Sequence, residues 1–201
     1  MIKAITLDLD HTIIDYSNSF TKLAEKYFDS DLPIETWDKI NFKLITEQRF
    51  GRDMWTQLQG ELYSKYIEFA NPYKGVIDFL EYLSQKKINY YIVSHKTEFS
   101  FSNPEQNLYK SATNWINKHL ISDKNQLYFS NKNIFFEDTI SNKISRIKLL
   151  NPTYHIDDLP EIISLLPTTT QGILFDSNKV NKFDLQVENW IGILNRVSRY
   201  A

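Results

Sequence analysis

Two aspartates one residue apart, Asp8 and Asp10, follow a short apolar run near the start of the chain, in KAITLDLDHT from Lys3 to Thr12. Alternate residues of an extended segment point the same way. Both carboxylates are therefore expected to converge at the carboxyl end of a strand, where open α/β sheets bind their ligands. Two carboxylates held close repel unless a cation or a shared proton relieves them, so the pair predicts a site rather than a scaffold. Taken alone, an aspartate at a strand end is also an ordinary turn or cap residue. The weight comes from what recurs downstream. Ser94 closes the apolar run Ile88 to Val93, Lys143 follows Asn133 to Phe136, and Asp157 and Asp158 follow Thr153 to Ile156. The result is a set of acids, one hydroxyl and one lysine, each at or after a predicted strand.

The elements that position this set follow from periodicity. Phe20, Leu23, Ala24, Tyr27 and Phe28 recur at helical spacing, and Asp31-Leu32-Pro33 breaks the helix. A second helix carries Trp37, Ile40, Leu44 and Ile45, and a third carries Met54, Leu58, Leu62, Tyr66 and Phe69. No strand pattern lies between Asp15 and Asn71. From Pro72 onward, helices and strands alternate. Helices are expected over 75–83, 107–119, 141–150, 159–165 and 185–197, with strands over 88–93, 133–136, 153–156 and 172–175. This alternation implies a Rossmann-like parallel sheet covered on both faces. Residues 15–71 then form an all-helical insert in an α/β core made of residues 1–14 and 72–201.

The ordered set resembles the haloacid dehalogenase (HAD) superfamily of phosphohydrolases, over nearly the whole chain from Ile5 to Phe175. Its first motif is matched by Asp8-Leu9-Asp10-His11-Thr12, its second by Ser94, its third by Lys143 and its fourth by Asp157-Asp158. The helical insert looks like the family's cap between the first and second motifs. The resemblance implies phosphoryl transfer from a small phosphorylated substrate through an aspartyl phosphate. Asp8 would be the nucleophile, and a carboxylate needs the phosphate charge neutralised before it attacks. Mg²⁺ would do this, held by Asp8, the Asp10 backbone carbonyl and Asp158, with Asp157 behind Asp158 as a water-mediated or supporting partner. Ser94 would bond a phosphate oxygen and Lys143 would balance charge. Thr12 counts with the phosphate-binding loop, fixing it rather than reacting. Asp10 would protonate the leaving alcohol and then activate water.

Rival assignments exist for two positions. Lys148 could replace Lys143, but it lies mid-helix beside Ile147 and Leu149. Glu137-Asp138 also follows a strand, but as the fourth motif it would put the lysine after the acids and break the family order. His11, His95 and Lys96 flank motifs, and His95 and Lys96 are candidates for touching substrate. Arg49 and Arg52 surround a glycine break in the insert and suit bidentate anion contacts.

Bulk composition sets outer limits. The 201 residues suffice for one core and a small second module. Net charge is −2, which predicts no general attraction to nucleic acid or anionic lipid. With no cysteine, thiolate chemistry and Cys-based zinc sites are excluded. The amino terminus enters a strand at once and no apolar run is long enough to span a membrane, so a cytoplasmic protein is expected. Two other functions fit the same pattern less well. A dehalogenase would use the aspartate on carbon without Mg²⁺, leaving Asp10 and Asp157-Asp158 idle. A non-catalytic module could keep the fold and bind a phospho-ligand or partner. A receiver domain lacks the insert, and its phosphorylated aspartate follows a later strand.

Overall fold

The computed structural model describes residues 2–28, 38–177 and 186–200. The elements, in chain order, are β1 (Ala4–Leu7), β2 (Ile14–Asp15), α1 (Ser17–Tyr27), α2 (Lys39–Phe50), α3 (Arg52–Ser64), a short 3₁₀ turn (Tyr66–Phe69) and β3 (Asn71–Pro72). Then follow α4 (Val76–Gln85), β4 (Asn89–His95), α5 (Leu108–His119), β5 (Ile134–Glu137), α6 (Ile140–Leu150), β6 (Tyr154–Asp157), α7 (Pro160–Leu165), β7 (Gln171–Phe175), β8 (Gln186–Val187) and α8 (Trp190–Ser198). The chain divides into two compact units, residues 1–14, 72–96 and 120–201, and residues 15–71 and 97–119.

The first unit is built on a six-stranded parallel sheet in the order β5-β4-β1-β6-β7-β8. The fold is thus the Rossmann-like α/β class expected from the alternating pattern. Strand β1 is central because its four residues, Ala4 to Leu7, are buried on both faces. That is what a strand covered by helices on both sides requires. Each fully buried Ile or Leu of this kind contributes about 1.5–3 kcal/mol. Helices α6 and α7 pack together and against the sheet, as do α4 and α8. The chain turns to one side of β1 to make β4 and β5, and to the other to make β6 and β7. This reversal creates a crevice beyond the strand ends at β1, the usual ligand position in such sheets.

The second unit is helical. Phe42 of α2 is its centre, with ring centroids 5.1 Å from both Phe20 and Phe28 and 6.4 Å from Trp55. Gly60 of α3 is a close-approach position, since a Cβ there would lie 2.2 Å from the Ser100 hydroxyl. Residues 97–119, which the sequence pattern placed with the sheet, group with this unit. The physical reason is that α5 packs on α3 and the 3₁₀ turn, and the Trp115 indole N–H donates to the Ala70 carbonyl at 2.9 Å.

Most expected elements appear within a few residues of their predicted bounds. The third helix stops at Ser64, and Tyr66 and Phe69 belong to the 3₁₀ turn. The last helix begins at Trp190, where the Asn189 side chain caps it by accepting the Gly192 N–H at 2.9 Å. Gln186 and Val187, expected to be helical, form an edge strand. The Asp31-Leu32-Pro33 break, Trp37 and Leu185 lie outside the described residues. Among the described residues, no helix is long and apolar enough to cross a membrane.

Candidate active site

The loop after β1 is held by its backbone. The Asp8 N–H continues the sheet ladder to the Ile156 carbonyl at 2.9 Å, and the Ile13 and Ile14 N–H groups both donate to the Leu9 carbonyl at 3.0 Å. The His11 N–H closes the turn on the Ile14 carbonyl at 3.1 Å. This tightness puts His11 at φ 64°, a left-handed conformation costing a non-glycine residue roughly 1–2 kcal/mol. The Trp190 indole donates to the carbonyl of the next residue, Thr12, at 3.1 Å.

A charge cluster sits at the ends of β1, β4 and β6. Lys143 is the hub, 2.6 Å from an Asp8 oxygen and 2.6 Å from Asp157 Oδ2. It is 1% exposed, on the inward face of α6 with Ile147 one turn later, whereas Lys148 points outward. The helix presents it because Thr139 caps α6 by accepting the Asn142 N–H at 3.1 Å. Asp157 is fully buried. Its Oδ2 also lies 3.0 Å from His155 Nε2, and its Oδ1 accepts the Leu159 N–H at 2.9 Å. The Thr12 hydroxyl donates to Asp158 at 3.4 Å. Asp8, Asp157 and Asp158 each offer an oxygen within 4.8 Å of the others, a spacing able to hold a metal ion.

Burial and neighbouring charge act against each other throughout the cluster. Burial pushes the Asp8 carboxyl well above the usual carboxylate range, and Asp157 and Asp158 push it further, although Lys143 pulls it down. Burial also opposes ionisation of Asp157, but Lys143 and the His155 donor outweigh it and hold its pKa to about 2. For Lys143, burial favours the neutral amine, yet the charges of Asp157 and Asp8 keep its pKa raised. Burial lowers the His155 pKa, although its bond to Asp157 works against this.

The remaining predicted residues fall into place around or away from this cluster. Ser94 is 1% exposed in β4, and its hydroxyl is one of few buried polar atoms among the described residues without a hydrogen-bond partner. Leu7 pairs with Ile92, so Ser94 stands as far along β4 as Leu9 does past β1. Asp10 is paired with Lys96 at 2.6 Å, and the Lys96 side chain is 2% exposed. His95 is exposed and its Nε2 lies 3.1 Å from the Asp138 carbonyl oxygen. Arg49 and Arg52 are exposed at the Gly51 break between α2 and α3, in the helical unit. The rival acid pair is elsewhere. Glu137 ends β5, at the sheet edge beyond β4, and pairs with Arg146 at 2.7 Å.

Two participants had no place in the sequence reading, His155 and Thr6. The Thr6 hydroxyl lies 2.9 Å from His155 Nδ1, across the β1–β6 ladder where the two residues are register partners. A polar imidazole inside the buried run Tyr-His-Ile-Asp, two residues before an acid, was the available signal.

No family model matches the sequence, and no curated protein is significantly similar to it. Solved structures do match in fold. A hydrolase from Pseudomonas syringae superposes with a TM-score of 0.56 at 13% identity, covering 100% of both chains. A HAD hydrolase of family IA, variant 3, from Entamoeba histolytica gives 0.55 at 13% identity, covering 94% of each. A HAD phosphatase from Thermococcus onnurineus gives 0.52 at 16% identity, covering 97% of each. With the parallel order β5-β4-β1-β6-β7 and acids at the ends of β1 and β6, the fold of this chain is that of the HAD superfamily.

Proposed function

We propose that this chain is a Mg²⁺-dependent phosphatase that cleaves a small phosphorylated metabolite by way of an aspartyl phosphate on Asp8. One observation carries the reading. Three acid side chains offer oxygens within 4.8 Å of one another, and a single buried lysine is shared between two of them. Counting Asp10 and Lys96, four carboxylates face two ammonium groups, a formal excess of two negative charges. An all-oxygen donor set of that charge fits a hard divalent cation such as Mg²⁺. Asp8, the Asp10 carbonyl and Asp158 would hold it. Once bound, Mg²⁺ supplies charge neutralisation of the phosphoryl group.

The chain's own residues do the rest. Asp8 attacks phosphorus and the P–O bond to the alcohol breaks. Asp10 gives the leaving alcohol its proton, and later takes one from the water that cleaves the acyl phosphate. Lys96 anchors the Asp10 carboxyl, and Lys143 holds Asp8 against the incoming charge. The unpartnered Ser94 hydroxyl donates to a phosphate oxygen, a role favoured by the cost of leaving such a group buried and unsatisfied. Thr12 orients Asp158. We assign substrate choice to the helical insert 15–71, with Arg49 and Arg52 as anion contacts and His95 as a further candidate.

The direct test is hydrolysis of para-nitrophenyl phosphate by purified protein. Activity is expected only with Mg²⁺ and is expected to vanish in Asp8→Asn. Turnover that persists in that variant would remove Asp8 as nucleophile. Metal-independent release of halide from a haloacid would favour the dehalogenase, and binding without turnover across a broad phosphate panel would favour a non-catalytic module.

A further inference from the structure

Behind the cluster runs a buried chain of hydrogen bonds, Thr6 Oγ1 to His155 Nδ1 at 2.9 Å, His155 Nε2 to Asp157 Oδ2 at 3.0 Å, and Asp157 Oδ2 to Lys143 Nζ at 2.6 Å. We propose that His155 is a positioning residue. In its Nε2–H form, fixed by the Thr6 hydroxyl, it pins Asp157 so that Asp157 holds Lys143 against Asp8 and leaves cation binding to Asp8 and Asp158. The functional part rests on the phosphatase reading; the hydrogen-bond order does not.

The direction of the chain follows from donor chemistry. An ionised carboxylate only accepts, so His155 must carry its hydrogen on Nε2 to bond Asp157. The other nitrogen of a neutral ring then accepts, and the Thr6 hydroxyl is the donor that faces it. Thr6 and His155 are fully buried. Leaving either ring nitrogen unpaired there would cost the desolvation of a buried polar group with nothing to offset it. The wrong tautomer would turn Nε2 into a bare acceptor against a carboxylate.

Geometry explains why Asp157 is tied to the lysine rather than to a cation. Residues 155 and 157 lie on one face of β6 by strand alternation, so the ring reaches its own neighbour but one. With Lys143, His155 and the Leu159 N–H, protein donors occupy three positions on Asp157. A carboxylate accepts about four hydrogens. Swinging Asp157 toward a cation would break these bonds. Asp158, the next residue, lies just beyond the end of β6 and is partly exposed. An apolar residue at 155 would continue the buried run between Tyr154 and Ile156. The imidazole thus adds a directed donor at a place where packing alone asks for none.

Two measurements test this. Nitrogen-correlated NMR of the wild-type chain at neutral pH reads the ring directly. The sequence has only four histidines, and the His155 signals are those lost in His155→Gln. A protonated Nε2 with a bare Nδ1 is expected; a protonated Nδ1, with or without Nε2–H, would overturn the proposal. Kinetics with para-nitrophenyl phosphate compare His155→Leu with His155→Gln, whose side-chain amide keeps a donor near Nε2. His155→Leu is expected to lower kcat by about 10–100-fold, with KM and Mg²⁺ dependence unchanged, and His155→Gln to restore most of it. Equal losses in both variants, or full kcat in His155→Leu, would contradict the positioning role. Should the wild type cleave no phosphate ester at all, the phosphatase reading fails, and the NMR result still decides the hydrogen-bond order.

Discussion

The sheet unit and the helical unit bury different things. Among the described residues, every buried charged side chain lies in the sheet unit, namely Asp8, Lys96, Lys143, Asp157 and Asp176. In the helical unit the buried polar residues are Ser19, Thr46 and Ser100. Ser19 and Thr46 donate to backbone carbonyls, each at 2.7 Å, and Ser100 pairs with Ser102 at 2.9 Å. Its core is otherwise aromatic. Hydrophobic packing makes a stable fold without risk; an ion taken from water is costly unless closely paired. The concentration of buried charge at the ends of β1, β4, β6 and β7 therefore sets the candidate site apart from the helical core, which is held by apolar packing.

The contrast breaks most visibly at Lys143. Lys143→Met strands Asp8 and Asp157 without their cation and is expected to cost about 3–5 kcal/mol in denaturant unfolding, together with turnover. Phe42→Ala should cost a similar 3–5 kcal/mol by leaving a cavity among Phe20, Phe28 and Trp55. If the two regions differ as described, chemical unfolding sees both losses. The Asp157 contribution should remain intact in the Phe42 variant.

That contribution has a pH signature. The folded pKa of Asp157 is held to about 2, below the ordinary 3.8. Its stabilisation is therefore present above pH 3.8 and lost as pH falls towards 2. In metal-free protein, Asp157→Asn should flatten this acid limb of the stability curve. A limb of unchanged slope would show that Asp157 is not held ionised. The smallest effect on stability is expected at the surface of the helical unit. Arg49→Ala and Arg52→Ala should each change stability by less than about 0.5 kcal/mol while raising KM for the natural substrate; unaltered KM in both would remove them from substrate binding.

Much of this was legible in the chain because it is local. Strand alternation identifies the α/β class, and residues at strand ends single out Asp8, Ser94, Lys143 and Asp157-Asp158 as candidates without any partner being seen. The edge position of β5 also accords with setting aside Glu137-Asp138. What stayed hidden depends on contacts between distant positions. Thr6 and His155 are 149 residues apart and meet only through the β1–β6 register. Lys96, expected to touch substrate, is buried against Asp10, a pairing that no spacing rule supplies. The edge strand β8 is two residues long, too short for a period to show. Residues 97–119 have an ordinary amphipathic pattern that does not say which core they join.

A single isotope experiment reaches the central claim. The protein is allowed to turn over para-nitrophenyl phosphate with Mg²⁺ in heavy-oxygen water, then digested and mapped by mass spectrometry. Asp8 should be found in phosphorylated form when the reaction is quenched in acid, while the heavy oxygen should appear in the released phosphate and not in Asp8, because water attacks the acyl phosphate at phosphorus. Vigorous turnover with no phosphoryl group ever detectable on the peptide containing Asp8 would contradict the assignment.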